Sequence, residues 1–81
     1  MNIVYSKQAV KAINRMDAVT KQRMKVAIEK LPEGDTKQIT GGSVTTYRLR
    51  VGGWRVLYST GDDGTIRIEK IAPRGEVYRR K

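Results

Sequence analysis

The sequence predicts a two-layer α+β domain in which a helical hairpin packs on an antiparallel sheet, with elements in the order β-α-α-β-β-β. Three observations carry this expectation. Apolar residues recur at helical spacing in two stretches between positions 9 and 31. The apolar period changes to two from Gly41 onward, and glycine-rich turn signals divide that second half into three strands.

Residues 2–5 read as a short strand, with Ile3 and Val4 followed by Ser6, a residue able to cap a helix. A first helix is expected to run to about Met16, with Ala9, Val10, Ile13 and Met16 along one face and Lys7, Lys11 and Arg15 largely elsewhere. Asp17 and Thr20 offer a break and a new cap. Met24, Ala27, Ile28 and Leu31 then repeat the i, i+3, i+4, i+7 pattern until Pro32 and Gly34 stop the second helix. Tyr47, Leu49 and Val51 alternate with Arg48 and Arg50, so the apolar and basic sets point to opposite faces of a strand. Gly52 and Gly53 make a hairpin turn into a strand at 54–60, and the Gly61 to Gly64 turn leads to a last strand from Thr65 to about Ala72. Residues 32–43 read as a linker too short to separate domains, so residues 1–81 form a single domain. The other face of the sheet stays open.

Composition narrows the chemistry. Of 81 residues, 38% are apolar, with no Phe and one Trp, so the core is thin. The absence of Cys removes disulfides and thiolate nucleophiles, and the absence of His removes imidazole acid–base pairs and most transition-metal sites. No cofactor and no metal are therefore expected. No apolar run reaches the roughly 20 residues that cross a bilayer, which leaves a soluble cytoplasmic protein without a membrane partner as the expectation. Seventeen Lys and Arg against eight Asp and Glu give a net charge of +9 and point to a polyanion, nucleic acid first.

Within that charge, Arg48, Arg50 and Arg55 fall on neighbouring strands, and Arg74 and Tyr78 follow the last one. Their convergence is unfavourable unless a polyanion or an acidic partner offsets it. Cleavage of RNA by its own 2′-hydroxyl needs a base, charge stabilisation at phosphorus and a proton for the leaving oxygen. Arginines supply the second need through paired contacts to phosphate oxygens, and supply the others poorly because a guanidinium is a weak proton donor and almost never a free base. Tyr78 could stack on a base or share in proton transfer.

The segment YRLRVGGWRVLY at 47–58 resembles the central hairpin of the RelE/ParE toxin superfamily, and IAPRGEVY at 71–78 resembles its closing signature. The helical hairpin ahead of them is similar in length and place, so the likeness spans nearly the whole chain. The resemblance implies a RelE-like, microbial-ribonuclease-like fold. It also implies the toxin of a type II toxin–antitoxin system, an mRNA interferase that enters the 30S A site and cuts the exposed codon. On that resemblance Arg48, Arg50, Arg55, Arg74 and Tyr78 are the catalytic set, and the partners are an acidic antitoxin, the ribosome with its rRNA, and mRNA. Both basic positions of the second strand of the predicted sheet are Arg here where Lys is common in the family, which leaves the base open. Glu69 and Glu76 are the nearby carboxylates, each fitting a structural or solvent-facing place better. Trp54 fits a packing role. A ParE-like gyrase inhibitor and an inactive RNA-binding module of the same fold are the alternatives, and the combination of Arg55, Arg74 and Tyr78 favours RNA cleavage.

Overall fold

The computed structural model describes residues 2–40, 45–61 and 63–73. The chain runs β1 (Ile3–Tyr5), α1 (Lys7–Asn14), α2 (Ala18–Glu29), β2 (Thr36–Thr40), β3 (Thr45–Val51), β4 (Trp54–Thr60) and β5 (Ile66–Pro73). The strands form one sheet in the order β1-β5-β4-β3-β2. The α+β class with a helical pair on one face of a sheet is the observed one. Two details differ from the sequence pattern. Residues 36–40, expected as linker, pair antiparallel with β3 as an edge strand, and β1 runs parallel to β5, so the sheet is mixed.

Ser6 begins α1 as expected: its backbone is extended and its hydroxyl accepts the Ala9 N–H at 3.0 Å. The buried stripe of the helical pair comprises Ala9, Met16, Met24, Ile28 and Leu31, with Ala12, Ile13 and Ala27 partly buried beside it. Val10, expected on that stripe, is instead 44% exposed, because Ala12 takes the place three residues after Ala9 and turns Val10 outward. The sheet meets these side chains with Leu49, Val56, Tyr58, Ile66, Ile68 and Ile71. Tyr47 and Tyr58 are cross-strand partners whose rings stack at a centroid separation of 5.2 Å. Trp54 packs against the same core.

The β3–β4 turn is the expected glycine pair. Val51 pairs with Trp54, and Gly52 takes φ +59° at the first loop position, where a type II′ turn requires a left-handed residue. Pairing of β1 with β5 stops at Tyr5 and Ile68, and α1 then takes over the free edge of β5. The Ser6 N–H donates to the Ile68 carbonyl at 2.9 Å and the Ser6 hydroxyl to the Glu69 carbonyl at 2.7 Å. Gln8 completes the edge. Its Nε2 donates to the Ile71 carbonyl and its Oε1 accepts the Ile71 N–H, both at 2.9 Å. A side-chain amide thus acts as one more residue of backbone ladder.

Between β4 and β5 the register slips. Tyr58 faces Ile68 and Leu57 faces Lys70, which leaves Glu69 as an extra residue on β5. The bulge resets the alternation of that strand. Ile66 and Ile68 point to the helices before it and Ile71 points there after it, so Lys70 is turned to the opposite face.

Candidate nucleic-acid interface

Register defines the face of the sheet opposite the helices row by row. Arg50 of β3 stands across from Arg55 of β4, and Arg55 from Ala72 of β5. In the next row Lys37 of β2 faces Arg48, Arg48 faces Leu57, and Leu57 faces Lys70. Ser59 faces Arg67 in the row beyond. Like charges placed opposite each other, as Arg50 and Arg55 are, destabilise a sheet by up to ~1 kcal/mol.

The structure therefore brings Arg48, Arg50 and Arg55 together on neighbouring strands, and it gives them unequal surroundings. Arg50 lies toward the edge with its side chain 48% exposed, and its guanidinium stands 4.0 Å from the Asp35 carboxylate. That separation, with both groups in water, makes a weak pair. Arg48 is half-buried, and its Nε is sealed from solvent with no hydrogen-bond partner among the described residues. Arg55 is the correction to an open-face reading: only 8% of it is exposed, so it is a buried arginine and not a freely solvated one. Among the described residues its guanidinium makes one long bond, from Nη1 to the Trp54 carbonyl at 3.3 Å. A guanidinium carries five N–H donors, and most of those of Arg55 make no bond among the described residues. Arg74 and Tyr78, the other two expected site residues, lie outside the described residues, as does Glu76.

Glu69, the bulge residue, has its carboxylate fixed. The Ser59 hydroxyl, itself buried, donates to Glu69 Oε2 at 2.7 Å. This matches the structural part expected for it. Among the described residues no three carboxylates gather in a way that could hold a metal ion, and no helix is long and apolar enough to cross a membrane.

Two basic residues of this face were not legible in the sequence. Lys37 sits on the strand that read as linker, and Lys70 falls on the core side of β5 if strict alternation is continued from Ile68. A signal for Lys70 existed in Ile71, whose apolar side chain breaks that alternation and marks a bulge before it.

A thin helical layer over one face of a five-stranded mixed sheet, with a buried and a half-buried arginine on the other, makes this a small basic α+β protein with an anion-binding face. No protein-family model and no curated protein matches the chain. Among solved structures, a chain of the archaeal RelE–RelB complex from Pyrococcus horikoshii OT3 is similar over 91% of this chain and 94% of its own length, with 31% identity and a TM-score of 0.77. The isolated RelE toxin of E. coli shares the fold over 95% of this chain and 89% of its own, with 18% identity and a TM-score of 0.64. The chain belongs to the RelE toxin family.

Proposed function

We propose that the protein is the toxin of a type II toxin–antitoxin pair and acts in the cytoplasm as a metal-independent endoribonuclease that cleaves mRNA in the ribosomal A site. The observation that carries this reading is Arg55 on β4, only 8% exposed and making one long bond among the described residues, with Arg48 diagonally across on β3, half-buried and with its Nε sealed from water without a partner there. Buried donors without acceptors are unfavourable in the empty protein and become favourable when an anion arrives. A phosphate oxygen that gains charge as the ribose 2′-hydroxyl attacks is such an anion, and preorganised donors stabilise it more strongly than the ground state. Arg50 adds field from the rim, and Arg74 and Tyr78 are proposed to complete the site.

A guanidinium supplies hydrogen-bond donors and charge and no acceptor for a proton. Rate enhancement must come from electrostatics and from the geometry in which the RNA is held, which supports dependence on the ribosome as the positioning scaffold. The positive face also supports an acidic antitoxin as partner, in keeping with the archaeal neighbour's crystallisation as a RelE–RelB complex.

The test is expression of the parent and of Arg48→Ala in growing cells, with 5′ ends of messages mapped and purified protein assayed on programmed ribosomes. Cuts at codon boundaries that depend on Arg48 are expected. Growth arrest with intact messages and damaged DNA would refute cleavage in favour of a topoisomerase target. Co-expression with the adjacent acidic open reading frame should yield a complex that survives high salt, and a toxin recovered alone would remove the antitoxin from the proposal.

A further inference from the structure

We propose that the RNA backbone crosses the sheet along the row Lys37, Arg48, Leu57, Lys70, with the two lysines holding the phosphates that flank the one at the arginines. This rests on the reading of the site as an RNA-cleaving one and assigns the direction and extent of its substrate track. The row is a consequence of register. Lys37 is opposite Arg48, Arg48 opposite Leu57 and Leu57 opposite Lys70, on four successive strands. With strands about 4.8 Å apart, the two lysine stems are about 14 Å apart, and their long side chains widen the reach further. A single strand laid across that span can meet both lysines and the arginine between them.

Four observations favour a nucleic-acid strand as the occupant. First, three cations in one row, with the Arg50 and Arg55 row beside it, repel one another and are complementary to a regularly charged polyanion. Second, none of Lys37, Arg48 and Lys70 has a carboxylate within 4.0 Å among the described residues, since the ion pair found there is between Arg50 and Asp35. Third, the acid next to Lys70 in the chain is turned to another partner, because Ser59 donates to Glu69 Oε2. Fourth, the member of the row that is not charged, Leu57, is half-buried and offers an apolar surface for a base between the cationic contacts. The bulge at Glu69 is what brings Lys70 to this face. Without that extra residue the strand would present Glu69 opposite Leu57 and place a negative charge at the β5 end of the track.

The track is tested by the salt dependence of binding. A fluorescent single-stranded RNA oligonucleotide of mixed sequence, with the 2′-hydroxyls methylated to prevent cleavage, is titrated with parent, Lys37→Gln, Lys70→Gln, the double variant and Lys25→Gln at several salt concentrations. Each lost phosphate contact lowers the slope of log K against log salt by about 0.7 for a single strand. Each track variant should therefore fall by about 0.7 and the double variant by about 1.4, whereas Lys25→Gln, on the exposed side of α2 in the other layer, should match the parent. Parent slopes in both track variants would overturn the proposal, and so would a parent that does not hold the oligonucleotide. A polyglutamate peptide is titrated in parallel. Loss of peptide binding with RNA binding unchanged would make an acidic polypeptide the occupant of this row and likewise overturn it. Codon-boundary cleavage on ribosomes is read separately, so the track can fail while the proposed activity stands.

Discussion

Removing the Gln8 side chain tests how α1 holds β5. The carboxamide makes two hydrogen bonds of 2.9 Å to the backbone of Ile71, a residue only 1% exposed. Gln8→Ala deletes both partners at once. Each bond is worth about 0.5–1.5 kcal/mol net, which gives about 1–3 kcal/mol for the pair, and the buried setting of Ile71 places the result in the upper half of that range. In a domain of this size such a loss lowers the melting temperature by roughly 5–20 °C. Gln8→Glu keeps the acceptor for the Ile71 N–H but sets a carboxylate oxygen against the Ile71 carbonyl, so it should lose at least half as much. Urea unfolding followed by Trp54 fluorescence measures both. Hydrogen exchange localises the effect, and the Ile71 amide should lose more protection than amides of β3. A Gln8→Ala variant within 0.5 kcal/mol of the parent, taken as a working threshold, with Ile71 still protected, would refute the view that this side chain serves as ladder.

Three other outcomes follow from the site and the core. Arg55→Ala should slow single-turnover cleavage on ribosomes by about 10²–10³ as a transition-state donor is lost, and because the side chain is buried it should also lower thermal stability; full cleavage by the variant removes Arg55 from the chemistry. Burial raises the phenol pKa of Tyr58, and of Tyr5, where Glu29 adds to the shift. A raised folded value favours the neutral form, so these tyrosines add stability that is fully present below about pH 10 and is lost as pH rises through the folded values, and denaturant midpoints unchanged up to pH 11.5 would contradict this. For Tyr78 the ring is expected to matter more than the hydroxyl: Tyr78→Phe should keep most of the cleavage rate while Tyr78→Ala loses the ~1–3 kcal/mol of a base contact, and equal losses would point to the hydroxyl instead.

What could be read from the sequence divides along a physical line. The helical pair and the β3–β4 hairpin are local, and each announces itself through a period, a cap or a glycine turn: Ser6 caps α1, Gly52 turns the hairpin, and Met24, Ile28 and Leu31 recur at helical spacing. β2 escaped because an edge strand buries little, and a run such as Thr36, Lys37 and Gln38 has no apolar face to alternate. The parallel pairing of β1 escaped because strand direction is fixed by partners far along the chain. At the candidate site, the placing of Arg48, Arg50 and Arg55 on neighbouring strands was legible and their environment was not. Arg48, Arg50 and Arg55 could be picked out by type and alternation, yet nothing local distinguishes the solvated Arg50 from the buried Arg55, since burial depends on the whole arrangement of the sheet.

The hydrogen bonds of the Ser6 hydroxyl with Glu69 and of the Gln8 carboxamide with Ile71 join residues 63 positions apart. On a ribosome synthesising this protein, β1 and α1 emerge early and have no sheet to join. The central position beside β4 is filled only when residues 66–73 are free. Until then Ile3, Ala9 and Ile13 lack the strand they cover, and Leu57 lacks Lys70 across from it. Such distant pairings make closure slow and late. Lys70 is therefore the last cation to join the row that Lys37 and Arg48 begin on β2 and β3.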